Sequence, residues 1–247
     1  MINPPNVSSL IFFVDGVVAF ISSIVLGVGM VIIFHRFIQR RKLPALFALV
    51  YVTLFFIDMV VVTAQNWLYY YGIIDWPFFI YIQFYRFILL NTGVAFTAIF
   101  AANVYERWKI PVIIISGILF ISGIGVFIAN YMTGPGGELP SWGKLMLGIS
   151  GMFDIIGYLP FIFLSYMESR TTTNVLGKRG CQIMMLGASI GLLTPLFGTI
   201  AIFNRILYYT VFGYFAIICD GIGNFMMVVG FVMPQWLRKL LIEKEKE

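Results

Sequence analysis

The sequence predicts an all-α fold: a polytopic membrane protein whose seven transmembrane helices form one bundle. Three observations lead to this prediction. Of the 247 residues, 60% are hydrophobic and only 11% are charged, whereas soluble domains carry about a quarter charged residues to cover their water-facing surface. The apolar residues form seven runs, each near the length of roughly 20 residues that a helix needs to cross a bilayer. Basic residues are concentrated on alternate connections between these runs.

The seven runs are long and continuous, unlike the short alternating strands of a membrane β-barrel. The predicted spans are residues 10–34, 46–70, 78–104, 110–131, 145–166, 181–203 and 207–236. Tryptophans mark the ends of several spans, as expected at headgroup depth; they are Trp67, Trp76, Trp108, Trp142 and Trp236. No linker is long enough to separate a second domain, so residues 1–247 are predicted to be a single transmembrane domain.

Basic residues predict the orientation, because cytoplasmic loops of membrane proteins carry an excess of lysine and arginine. One set of connections holds most of them: Arg36, Arg40, Arg41, Lys42, Arg107, Lys109, Arg170, Lys178, Arg179, Arg238, Lys239, Lys244 and Lys246. The opposite set holds only Lys144 and Arg205. We therefore expect a multi-pass protein of the cell membrane with its N-terminus outside and its C-terminus in the cytoplasm. The net charge of +5 then reflects membrane orientation, and the expected partner is the lipid bilayer rather than nucleic acid.

Five charged residues lie inside the predicted spans: Asp15, Asp58, Arg86, Asp154 and Asp220. An ionised side chain near the middle of a membrane costs roughly 2.5–3.5 kcal/mol on insertion scales. These side chains are therefore expected to face the interior of the bundle and to neutralise one another. We expect Arg86 to pair with Asp220, and at least one remaining aspartate to carry a proton at neutral pH.

A buried polar core is the predicted site for a ligand or an ion. Its candidate residues are Arg86, Asp220, Asp58, Asp154, Asn91 and Asn224. Further hydrogen-bonding side chains from the same spans are Thr92, Gln65, Asn66, Thr194 and Thr199, with Pro195 expected to bend helix 6 at a similar depth. The functional interpretation is an ion or proton path or a polar ligand pocket; the alternative is a network that only fixes helix packing.

Several kinds of chemistry are not supported by the residues present. The chain has one histidine and two cysteines, His35, Cys181 and Cys219, too few for a disulfide framework, a bis-histidine haem or a three-histidine zinc site. No phosphate-binding loop or hydrolase motif is found. We therefore expect no metal site and no enzyme. Gly187 and Gly191 form a GxxxG pattern, which indicates close helix contact within the bundle or, alternatively, dimerisation.

Some of these features resemble the microbial rhodopsins, in which helix 7 carries Asp-x-x-x-Lys and the lysine binds retinal. Asp220 matches the aspartate, Arg86 the arginine of helix 3 and Pro195 the proline of helix 6. Asn224 stands where the lysine would be, and Leu89 replaces the helix 3 carboxylate that follows the arginine. The resemblance implies a seven-helix fold with an external N-terminus. Because every lysine lies in a predicted loop or in the tail, covalent retinal is excluded and no cofactor is expected.

The sequence leaves three functions open. The first is a receptor- or sensor-like protein in which the polar core binds a small ligand or responds to protons. The second is a proton- or ion-coupled transporter. The third is a structural membrane subunit of an oligomer or a larger complex, which the short loops permit.

Overall fold

Seven α-helices make up the fold, and no strand occurs in the part of the chain that the structure describes. The structure is a computed structural model that describes residues 10–135, 137–203, 211–234 and 237–238. The helices are α1 Leu10–Arg40, α2 Leu43–Tyr70, α3 Trp76–Tyr105, α4 Lys109–Thr133, α5 Ser141–Thr171, α6 Val175–Phe203 and α7 Val211–Val232. All seven are long and apolar enough to cross a membrane. The predicted fold class is confirmed, and the chain is a multi-pass integral membrane protein.

A few predicted features lie outside the described residues. They are Arg205, Trp236, Lys239, Lys244, Lys246, the start of the seventh predicted span and the side chain of Thr199. The orientation across the membrane stays a prediction.

Helices α1 to α6 extend beyond the spans that the apolar runs predict, whereas α7 ends at Val232, before the predicted end at residue 236. Helix α1 continues from residue 34 to Arg40, and within this extension the Gln39 amide lies 2.8 Å from the His35 ring nitrogen Nε2, one turn away. Helix α6 begins at Val175 rather than at 181, where Asn174 Oδ1 accepts a hydrogen bond of 3.0 Å from the Leu176 N–H. Apolar runs predict the part of each helix inside the hydrocarbon region, whereas caps and polar turns set the true ends.

Helix α3 is the most buried span, with 50% of its most apolar stretch inside the bundle. Its start is fixed by Asp75, whose carboxylate accepts a 3.0 Å hydrogen bond from the Phe78 N–H, and by a proline in the first turn. Arg86 follows Trp76 at a distance of about 15 Å along the axis, at 1.5 Å per residue. The helix therefore carries this arginine into the interior of the bundle.

The bundle is a closed ring in which each helix packs against the next in sequence and α7 returns to α1. Helix α3 also packs across the ring against α5. Large side chains fill the core, including Tyr51, Phe55, Phe100 and Phe161, each at most 1% exposed. Because consecutive helices run antiparallel, the N-terminal ends of α1, α3, α5 and α7 meet at one end of the ring, and the polar site lies in that half.

Helices α6 and α7 approach each other through glycines. A Cβ atom placed on Gly187 would lie 2.7 Å from the Gly223 carbonyl oxygen. One placed on Gly230 would lie 2.8 Å from the Gly180 carbonyl oxygen. The backbones are in direct contact at both points, as small residues allow in membrane helices. The prediction that the GxxxG pattern serves packing inside the bundle is confirmed, since Gly191 is also close to Gly223.

Candidate functional site

A cavity of about 140 Å³ lies inside the ring and is lined by residues of six helices, α1, α2, α3, α5, α6 and α7. Four aspartates and one arginine contribute to its wall, namely Asp15, Asp58, Asp154, Asp220 and Arg86. For scale, a cavity of about 150 Å³ in another protein binds benzene. The space therefore suits a molecule of about six non-hydrogen atoms or a small cluster of waters.

One wall of the cavity is formed by an ion pair between Arg86 of α3 and Asp58 of α2. The guanidinium Nε lies 2.8 Å from Oδ1 of Asp58, and one terminal nitrogen lies 2.9 Å from Oδ2. This two-point contact is the strong, directional form of an arginine–carboxylate pair. Asp58 is fully buried and Arg86 is 8% exposed, so the pair is screened from solvent.

The expected pair between Arg86 and Asp220 is wrong. Helix α3 packs against α2, α4 and α5, whereas α7 packs mainly against α6 and α1. The ring therefore gives Arg86 the aspartate of the neighbouring helix α2 as its direct partner. Asp220 lines the same cavity without forming the ion pair.

Two glutamines, which the sequence did not single out as a pair, hold the arginine in place. Gln83 Oε1 accepts hydrogen bonds of 3.1 Å from Arg86 and 2.9 Å from the Gln65 amide. The same Gln65 amide also donates to the Phe79 carbonyl oxygen at 2.8 Å. Gln83 was missed in the sequence, although it stands three residues before Arg86 and so on the same helix face.

Three further carboxylates face the cavity and differ from Asp58. Asp15 and Asp154 are each 7% exposed, and Asp220 is fully buried. Oδ1 of Asp15, Oδ1 of Asp154 and Oδ2 of Asp220 are buried without a hydrogen-bond partner among the described residues. Asp15 was left out of the predicted site because it lies near the start of α1, but the cavity extends far enough to include it. A buried polar oxygen without a partner costs about 1–3 kcal/mol, so three of them in one cavity call for an explanation.

Asn224 positions one of these carboxylates. Its side-chain amide donates to Oδ1 of Asp220 and to the Asp220 backbone carbonyl, both at 2.9 Å. Asn224 is fully buried and lies behind Asp220 rather than in the cavity wall. This contact holds one oxygen of Asp220, whose other oxygen, Oδ2, is buried without a partner among the described residues.

Asn91, the remaining predicted site residue, belongs to a different network. The Ser150 hydroxyl donates to Asn91 Oδ1 at 2.8 Å, and the Asn91 amide donates to the Leu119 carbonyl oxygen at 3.3 Å. These bonds join α3 to α5 and α4. Asn91 is not among the residues that line the cavity, so its visible role is to connect three helices.

Two other predicted side chains do reach the cavity wall. Thr194 lines it and donates to the Ala216 carbonyl oxygen at 3.2 Å, which joins α6 to α7. Asn66 also lines it, with its amide bound to the Val62 carbonyl oxygen of its own helix at 2.9 Å. Pro195 lies in the same wall, at the depth that the sequence predicted.

The charge balance of the cavity is uneven. Arg86 and Asp58 neutralise each other, and Arg86 is the only basic residue among the buried side chains that the structure describes. Asp15, Asp154 and Asp220 therefore need protons or a cation to be neutral, since ionised carboxylates are expensive inside a membrane. The described residues contain no group of three histidine, cysteine or acidic side chains placed to hold a metal ion.

Comparison of the chain with protein-family models, with curated proteins and with solved structures gave no match. The resemblance to the microbial rhodopsins therefore stays a prediction.

Proposed function

We propose that this protein is a receptor- or sensor-like seven-helix membrane protein whose internal cavity binds a small ligand. The observation that carries the proposal is that Asp15, Asp154 and Asp220 line one cavity and each has a buried carboxylate oxygen without a partner among the described residues.

A network that only fixes packing would satisfy its own members, because a partly satisfied buried network is less favourable than an apolar core. The chain contains such a packing network around Asn91, whose oxygen accepts from Ser150 and whose amide nitrogen donates to the Leu119 carbonyl oxygen. The cavity differs from that network, since its carboxylates keep free acceptor positions. A bound ligand that donates hydrogen bonds or carries charge would satisfy them.

The fluorescence of Trp67 can report ligand binding in the cavity. A Cβ atom on Gly16 would overlap the Trp67 indole, so the ring packs directly on the α1 backbone one residue from Asp15. The indole ring also lies 5.8 Å from the Phe20 ring, centroid to centroid. Movement of Asp15 on ligand binding would change the surroundings of this tryptophan.

We expect a saturable change in tryptophan fluorescence when the purified protein, in lipid nanodiscs, is titrated with small molecules of about six non-hydrogen atoms. The probes are piperidine, tetrahydropyran and butyrate, which are cationic, neutral and anionic near neutral pH. At least one should produce the change. Ala216→Phe, which fills the cavity from α7, should abolish it, whereas Trp67→Phe should remove most of the signal without removing binding measured by calorimetry.

The control is Ile222→Phe on the same helix, where the side chain is 46% exposed on the outer face of the bundle; its response should equal that of the unmodified protein. No response to any probe, or an equal response from Ala216→Phe, would contradict the proposal. Accumulation of a bound probe inside liposomes against its gradient would assign the cavity to a transporter instead.

A further inference from the structure

We infer that the ligand of this cavity is a small organic cation, an alkylammonium of about six non-hydrogen atoms. The inference rests on the proposed function, because it names the chemical class of ligand for the same site. It follows from four features of the wall: the carboxylates with unpartnered oxygens, the arginine that is already paired with Asp58, the spread of the acidic groups and the apolar side chains.

The carboxylates set the sign of the ligand's charge. Asp15, Asp154 and Asp220 offer acceptor oxygens without partners among the described residues. A protonated amine has two or three N–H donors and a positive charge, and hydrogen bonds between charged partners are about twice as strong as neutral ones. An ammonium ligand therefore donates to one or two of these acceptors and neutralises one carboxylate, while the other two carboxyl groups are neutral when they carry protons.

The arginine already has an anionic partner in this arrangement. Two of its nitrogens contact the Asp58 carboxylate at 2.8 and 2.9 Å, and the third donates to Gln83 at 3.1 Å. An anionic ligand beside the guanidinium would face the fully buried Asp58 and three more acidic groups.

The spread of the acidic groups argues against a bare metal ion. The three aspartates come from α1, α5 and α7. At 1.5 Å per residue from the start of each helix, Asp15 lies about 8 Å, Asp220 about 14 Å and Asp154 about 20 Å along its helix. Calcium needs six to eight oxygens and magnesium six around one point, and no described group of three such ligands converges. A small organic cation instead needs only one or two of these carboxylates in contact with its ammonium group.

The remaining wall suits the hydrocarbon part of such a ligand. Phe55, Met59, Val62, Phe87 and Leu90 line the cavity on the side of α2 and α3. The methylene groups of a ligand are removed from water when they pack against these side chains, which favours binding. One end of the ligand thus faces carboxylates and the other faces apolar side chains.

Piperidine and tetrahydropyran form a matched pair for the test, since both have six ring atoms and only the protonated piperidine is charged near neutral pH. With the protein in lipid nanodiscs, we expect calorimetry to show that piperidine binds at least about tenfold more tightly than tetrahydropyran. Asp154→Asn and Asp220→Asn should each weaken piperidine binding by about tenfold and change tetrahydropyran binding by less than about twofold.

Glu138→Gln is the control, because this carboxylate is on the surface, with a side chain that is 72% exposed; it should leave the preference for piperidine unchanged. If one of the two aspartate variants does not fold, the other carries the test, and the ratio of the two affinities is independent of the fraction of folded protein. Tetrahydropyran or butyrate binding as tightly as piperidine would overturn the inference and leave the proposed function standing. Failure of all three probes to bind would overturn both.

Discussion

Replacing Arg86 by methionine is expected to lower the free energy of unfolding by about 3–5 kcal/mol, the cost of removing one partner from a buried ion pair. The substitution leaves Asp58 fully buried without the guanidinium that now contacts both of its oxygens. Gln83 also loses one of its donors. Unfolding measured by circular dichroism in a mild detergent with increasing dodecyl sulfate would give the change.

The double variant Arg86→Met/Asp58→Leu should recover most of this loss, because replacing both members of a buried pair by apolar side chains is often neutral or stabilising. The matched control is Lys144→Met, which breaks the only other ion pair among the described residues. That pair joins Lys144 to Glu138 at 3.3 Å, with side chains 61% and 72% exposed, and surface pairs of this kind contribute little. An Arg86→Met protein as stable as the Lys144→Met protein would contradict the described role of the pair.

Gly223→Ala is expected to destabilise the bundle by about 1–3 kcal/mol, the usual cost of overpacking a close contact. The new methyl group would lie 2.6 Å from the Gly191 backbone nitrogen and 2.8 Å from the Gly187 carbonyl oxygen. Both are backbone atoms, so only a shift of α6 away from α7 relieves the overlap. The same unfolding assay measures the effect.

Gly148→Ala in α5 is the same chemical change, but we do not expect it to destabilise the bundle. A Cβ atom at Gly148 meets open space within 4 Å among the described residues. Alanine is favoured over glycine inside a helix by about 1 kcal/mol, so this variant should be as stable as the unmodified protein or more so. Equal stability of the Gly148 and Gly223 variants would show that α6 and α7 do not touch at these glycines.

The sequence predicts where each helix lies in the chain, but it does not predict which helices pack beside one another. The reason is physical. Each span is determined locally, since an apolar run must reach across the bilayer, and each charged residue inside a span must face the interior. Which aspartate meets Arg86 depends on the order of helices around the ring, which no local pattern contains. The sequence therefore predicted a buried arginine–carboxylate pair correctly and assigned it to Asp220 instead of Asp58.

The depth of Asp15 and the direction of the Asn91 side chain explain the other differences between the predicted and the observed site. Asp15 was placed near the surface by its position in the chain, but the cavity reaches it. Asn91 was grouped with the charged residues because it lies near Arg86 along α3. Its side chain points to α4 and α5, where it binds the Leu119 carbonyl oxygen and Ser150. Apolar periodicity cannot predict such a direction in a helix that is hydrophobic around most of its circumference.

Asp154 and Asp220 line a cavity that, as we propose, holds a ligand, and each has a buried carboxylate oxygen without a partner among the described residues. The most direct measurement is an experimental density map of the protein in lipid nanodiscs with piperidine, at a resolution that shows ordered waters. If the cavity binds piperidine, we expect a six-membered ring of non-protein density within hydrogen-bond distance of Oδ1 of Asp154 or Oδ2 of Asp220. The Arg86–Asp58 pair beside it should be intact. A closed interior, in which protein side chains satisfy these two oxygens and no space remains, would contradict it.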